Sequence, residues 1–216
     1  MARLQRTTFE VSRASEYFDA RQLSALTGVA QTEFASVCLK ELVDNALDAA
    51  EAAGVAPEIG IEVEVDDATI RMTISDNGPG IPPEVVHKIL DYSIRVSDKA
   101  AYRSPTRGAQ GNALKTVIGI PYALGSQEPL IVKALGVRHS ITPWVDPAGG
   151  VHFTHDTTQE ITEGTTVSLV MPRRVHSRRE YGYYLQDFDA VHWARSFAAF
   201  NPHATLSYLV TTVLQK

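Results

Sequence analysis

Residues 34–53 read "FASVCLKELVDNALDAAEAA", a nearly continuous apolar run into which Glu41, Asp44, Asn45 and Asp48 are set. Phe34, Val37, Leu42, Ala46, Ala49 and Ala53 recur at intervals of three and four, the repeat of an α-helix. Thr32 is placed to cap its start, Gly54 to take the position after its end, and Pro57 follows shortly. Such a helix has about twenty residues and is roughly 30 Å long. Glu41, Asn45 and Asp48 stand at i, i+4 and i+7 and so project from one side. By themselves three polar residues fit a solvated stripe. The rest of the circumference demands burial, however, and a buried carboxylate is costly unless paired or coordinated. Polar groups on so buried a helix point to work beyond packing.

After this helix the period changes. In "IGIEVEVDDATIRMTIS", Ile59, Ile61, Val63 and Val65 alternate with polar residues, as do Ile70, Met72 and Ile74 beyond the "DDAT" turn. Two antiparallel strands follow from that pattern. A short helix is expected over 12–27 with Gly28 as its stop, and another in "EVVHKILDYSI" after Pro83. "NALKTVIGIPYAL" is helical in spacing until Pro121. Strands are expected at "PLIVKAL", "RHSITPWV", "GVHFTH" and "TTVSLVM", then a helix at "FDAVHWARSFAAF" and a strand at "ATLSYLV". An early helix against a mainly antiparallel sheet predicts an α+β fold, a two-layer α/β sandwich with helices on one face. No break in composition divides the 216 residues.

Composition narrows the function. The net charge of −5 argues against binding nucleic acid by bulk electrostatics. The N-terminus "MARLQRTTFE" lacks the apolar core of a signal peptide, and no apolar run is long enough to span a membrane. The single Cys38 reads as a small buried side chain in a reducing, cytoplasmic setting.

Two loops join the helix as candidates. "SDNGPGIP" follows a strand directly. There Asp76 can accept a hydrogen bond from a ligand amine, and Gly78 and Gly80 permit close backbone approach or positive φ. The same residues are also ordinary turn chemistry. "TRGAQGNALK" opens into a helix, where exposed amides and the helix dipole favour phosphate, although a flexible loop has the same composition. It is neither a Walker A motif nor a dinucleotide fingerprint.

Taken in order, "KELVDNALDA", "DNGPGIP", "RGAQGNALK" and "GTTV" resemble the GHKL ATPase superfamily. Its members include gyrase-type topoisomerases, heat-shock chaperones, histidine kinases and mismatch-repair ATPases, which share the Bergerat fold. Within it, "CLKELVDNALDAAEAAGVAPEI" and "FNPHATL" look like the ATPase domain of topoisomerase VI B subunits, a likeness covering roughly residues 10–210. The resemblance implies Mg-ATP as ligand and assigns roles by position. Glu41 would be the general base for water, and Asn45 the ligand of Mg²⁺. Asp76 would accept the adenine amine, with Gly78, Gly80 and Ile81 beside the base. Gly108, Gln110, Gly111, Asn112 and Ala113 would form the ATP lid, although Ala113 stands where the family commonly has glycine. Lys115 is a further candidate for phosphate contact, and Thr165 would support Asp76.

The resemblance also implies an arm at 1–10, where a disordered terminus fits the residues equally, an ATP-binding domain at 11–216, nucleotide-driven homodimerisation, and a topoisomerase VI A-like partner that cleaves DNA. A transducer domain with a lysine for the γ-phosphate would follow Lys216, so hydrolysis by this chain alone is expected to be slow. The rival reading is a nucleotide-dependent switch or clamp with little turnover. A histidine-kinase domain is disfavoured by Glu41, which suits activation of water. Elsewhere, Arg173, Arg174, Arg178 and Arg179 read as a solvated turn or a DNA-contacting patch. His152 and His155 are three apart on a strand and so face opposite ways, while Trp193 and Phe197 read as core.

Overall fold

The computed structural model describes residues 13–92, 113–174 and 188–213. Its frame is a seven-stranded sheet built from β1 (Glu58–Val65), β2 (Thr69–Asp76), β3 (Leu130–Ala134), β4 (Val137–Val145), β5 (Val151–Gln159), β6 (Thr165–Pro172) and β7 (Thr205–Thr212). The strand order is β5-β4-β3-β6-β2-β1-β7. Every neighbouring pair is antiparallel except β1 and β7. The helices are α1 (Ala20–Thr27), α2 (Phe34–Ala52), α3 (Pro83–Ile89), α4 (Ala113–Ala123) and α5 (Ala190–Phe200). This is the α+β sandwich expected from the alternation of periods.

The period-two pattern explains where the core lies. Ile59, Ile61 and Val63 of β1 and Ile70, Met72 and Ile74 of β2 are buried, and they meet Leu39, Leu42, Val43, Ala46 and Leu47 of α2. The alternate residues Glu58, Glu62, Glu64 and Arg71 are exposed on the other face. Each large aliphatic side chain in this layer contributes about 1.5–3 kcal/mol through the area it removes from water. Replacing Leu39 or Leu47, both fully buried, with alanine is therefore expected to destabilise by about 2–5 kcal/mol.

Several local expectations need correction. The stretch 12–27 is not one helix. A 3₁₀ turn covers Arg13–Phe18, and Asp19 is extended and caps α1 by accepting from the amides of Arg21 and Gln22 at 3.0 and 2.9 Å. Thr32 does not cap α2. It lies inside a 3₁₀ turn, Gln31–Glu33, and Glu33 reaches back to accept from the amide of Ala30. Proline does not end α4 either. Pro121 lies within it, and the helix closes at Gly125, where the amide of Ser126 donates back to the carbonyl of Pro121. Leu135 is outside β3, and β5 runs on to Gln159. The end of α2 is as expected: Gly54 takes φ +71°, and the amides of Gly54 and Val55 donate to Glu51 and Ala50. Among the described residues, no helix is long and apolar enough to cross a membrane.

Candidate functional site

Helix α2 carries Glu41, Asn45 and Asp48 on one side. Asp48 is only 5% exposed and Asn45 is half-buried. The Glu41 carboxylate is about one-third exposed, with Lys40 Nζ 3.7 Å from its Oε1. Lys40 holds Asp44 more closely, at 2.8 Å. One turn before Glu41, burial pushes the Cys38 thiol far above its ordinary pKa, and the Glu41 charge adds to the effect. Cys38 is therefore an inert core residue.

The second wall begins at Asp76, the last residue of β2. Its Oδ1 accepts from the amide of Gly78 at 2.8 Å and from that of Thr165 at 3.3 Å. Asp76 and Thr165 are also paired across β2 and β6. Burial raises the carboxyl pKa, and the two backbone amides and the Thr165 side chain offset part of that. Two amides hold Oδ1 in place, which orients the group while its environment disfavours the charge. A donor that approached the other oxygen would meet a pre-aimed acceptor.

Close approaches define the loop after Asp76. A β-carbon on Gly78 would lie 3.0 Å from Cβ of Ala49 on α2. One on Gly80, where φ is +83°, would lie 2.8 Å from Cγ of Leu135. Asn77 ties the loop backwards, since its Oδ1 accepts from the amide of Glu58 and its Nδ2 donates to the carbonyl of Ala56. Ile81 packs partly buried against the core. The loop thus meets α2 at Ala49, one turn past Asn45 and two past Glu41. At 1.5 Å per residue these levels are about 6 Å apart. Glu41, Asn45 and Ala49 therefore follow one another on α2, and Asp76, at the end of β2, lies across Gly78 from Ala49.

This chain belongs to the family of histidine kinase-, DNA gyrase B- and HSP90-like ATPases. Residues 31–175 match that family's profile, a span holding α2, the Asp76 loop and Thr165. Among individual proteins it is similar to the B subunit of type 2 DNA topoisomerase 6 from Natronomonas pharaonis, with 28% identity over 207 residues, 93% of this chain and 23% of the relative. The corresponding protein of Thermococcus sibiricus is 25% identical over 93% of this chain and 35% of the relative. That of Archaeoglobus fulgidus is 29% identical over 79% and 28%. The chain thus spans between about a quarter and a third of these relatives' length.

Within this ATPase family the remaining expected residues divide clearly. Gly108, Gln110, Gly111 and Asn112, expected to form the lid, lie outside the described residues, as do residues 1–10, expected to form an arm, and Arg178 and Arg179. Ala113 begins α4. Lys115, in the same first turn, is 2% exposed; its ammonium donates to the carbonyl of Asp91 at 2.6 Å and stands 5.0 Å from the centre of the Tyr92 ring. Burial holds its pKa below the ordinary lysine value. In this arrangement Lys115 fastens α4 to the segment after α3. Arg173 and Arg174 donate to the carbonyls of Asp66 and Leu124, so both fold back on the domain. His155 hydrogen-bonds His139 at 2.9 Å, while His152 stacks on Trp144 and bonds Asp146, on opposite faces of β5. Trp193 donates to Ser36 on α2 and packs beside Phe197.

Sequence reasoning passed over Asn77, Leu135 and Gly164. A glycine between two alternating runs marks a turn, a signal available in "KALGVR". What Leu135 touches was not.

Magnesium suits these donors. A hard cation takes oxygen ligands and commonly uses few from protein when phosphates supply the rest. The amide oxygen of Asn45 with a carboxylate one turn away offers such a set. Among the described residues no group of three histidine, cysteine or acidic side chains could hold a metal unaided.

Proposed function

We propose that the domain binds Mg-ATP along α2 and hydrolyses it, using the bound state to drive dimerisation. What supports this reading is Asp76 held by its two amide donors, with the Gly78–Ala49 approach setting that loop against the helix that carries Asn45 and Glu41. Asp76 accepts the exocyclic amine of adenine. Gly78 and Gly80, whose missing β-carbons admit Ala49 and Leu135, hold the backbone against which the base lies, with Ile81 beside it. Asn45 holds Mg²⁺, which neutralises phosphate charge when bound. Glu41 orients the attacking water and takes its proton, which its partial exposure permits. Phosphoryl transfer to water needs positioning and charge neutralisation rather than a covalent intermediate, and these groups contribute to both. Gly108, Gln110, Gly111, Asn112 and Ala113 close over the phosphates as a lid.

Similarity to the B subunits of topoisomerase 6 supports a further step. Two copies close on ATP and reopen after hydrolysis, and a topoisomerase VI A-like partner supplies DNA cleavage. Calorimetry with ADP and Mg²⁺, steady-state turnover, and the mass of the particle with and without a non-hydrolysable ATP analogue test the parts separately. Absence of nucleotide binding sinks the whole reading. Binding with no turnover in either wild type or Glu41→Ala leaves a nucleotide-dependent switch. Binding without a change in mass removes the dimer gate.

A further inference from the structure

We propose that Leu135 is a positioning residue for the recognition loop, clamping Gly80 from the sheet while Ala49 braces Gly78 from α2. The proposal rests on the nucleotide reading above and deepens it.

Ala134 ends β3 and pairs with Val137, the first residue of β4, so Leu135 and Gly136 alone make the turn. Their φ values are +50° and +77°, both left-handed. A two-residue turn of this kind favours asparagine or aspartate followed by glycine. Leucine suits it poorly, because its β-carbon crowds the following carbonyl oxygen. Among the described residues Leu135 is the one non-glycine with positive φ, and it is also 52% exposed. Local preference and solvation both disfavour leucine here.

The side chain's placement supplies the reason. Its Cγ and Cδ2 lie 2.8 and 3.0 Å from where a β-carbon on Gly80 would stand, so leucine fills the space beside the glycine. Gly80 in turn lies beside the carbonyl of Gly164, which would be 3.6 Å from that β-carbon. The turn is itself anchored. The amide of Glu160 donates to the carbonyl of Gly136 at 2.9 Å, and the amide of Gly136 donates to Oγ1 of Thr162. The preceding residue, Ala134, pairs with Thr165, whose amide holds Asp76. Leu135 therefore carries the rigidity of the sheet to the far side of a loop whose near side rests on α2. With both ends braced, the Gly78 amide stays aimed at Asp76 and the base site is preformed.

Leu135→Gly separates this role from a structural one. Glycine relieves the left-handed backbone, so the melting temperature should hold or rise. The lost clamp should let the loop leave its competent form, weakening ADP–Mg binding by calorimetry about tenfold if the competent fraction falls that far. Leu135→Met keeps an apolar clamp and should restore affinity. Hydrogen exchange across residues 77–82, measured without nucleotide, should accelerate in Leu135→Gly and not in Leu135→Met. Unchanged affinity and unchanged exchange in Leu135→Gly would overturn the proposal, with the nucleotide reading intact if the wild type binds. A fall in melting temperature parallel to the affinity loss would also overturn it, by making the residue a support of the hairpin alone. If the wild type binds no ADP while loop exchange still responds to Leu135→Gly, the clamp stands and the nucleotide reading fails.

Discussion

Gly164 closes directly on Asp76: a β-carbon there would lie 1.7 Å from the Asp76 backbone oxygen, and φ at Gly164 is +61°. The turn into β6 is thereby pressed against the end of β2. Gly164→Ala must both strain its backbone and push these strands apart, so a loss of at least about 2 kcal/mol is expected. Gly149→Ala provides the comparison. Its φ is also positive, at +85°, but nothing stands within 4 Å of the added carbon. Denaturant midpoints should fall markedly for the first and only slightly for the second.

Asp76→Asn tests stability against function. Burial raises the carboxyl pKa in the fold, so the stability present below the unfolded value is lost as pH rises through the folded one. At neutral pH the ionised form is therefore a burden on the fold. Asparagine keeps an oxygen for the amides of Gly78 and Thr165 and abolishes the titration. Its melting temperature at pH 7 should equal or exceed that of the wild type. On the proposed reading, however, its amide turns a donor toward the adenine amine, and calorimetry should show nucleotide binding lost.

Glu41→Gln should separate binding from turnover. The side chain is partly exposed, and Lys40 retains Asp44 at 2.8 Å, so the helix loses little. With Glu41 as the proton acceptor proposed above, its removal is expected to lower turnover about 10²- to 10⁴-fold, while affinity for ADP changes little.

The fold should weaken in mild acid. His139 is buried against His155 at 2.9 Å, and the His155 ring lies 4.6 Å from that of His87 on α3. Burial and the charge of His87 hold His139 below the ordinary histidine pKa. His155 is lowered by burial, His87 and His139, against the opposing pull of Asp156. Unfolded histidines bind protons first, so stability is lost as pH falls below about 6.5 toward the depressed values. Urea midpoints at pH 5.5 should lie below those at pH 7.5, and His87→Gln should lessen the difference.

Much of the candidate site was legible because its signals are local. The polar row on α2 is a matter of helical period, and Asp76 ends a strand whose alternation is plain in "TIRMTIS". Loops and ends were less legible. Asp19 divides a stretch whose apolar spacing suggests one helix, because a side-chain cap satisfies two amides there and lets the chain turn. Pro121 falls in the last turn of α4, where one lost hydrogen bond is tolerated because the proline ring is buried. Lys115 has the sequence position of a phosphate ligand, yet its ammonium reaches a carbonyl twenty-four residues away in the chain.

The order of residues alone determined which segments are helical or extended and which faces are apolar, since neighbours three or four apart, or two apart, settle those choices. It also set the succession of Glu41, Asn45 and Ala49 along one rod. Only the tertiary structure decided what meets that rod. Thr165 reaches Asp76 across eighty-nine residues, β7 joins β1 in parallel, and Leu135 comes to rest on Gly80. Such meetings depend on strand order and on how turns pack at the rim of the sheet, and a contact between distant segments leaves no period in the chain that makes it.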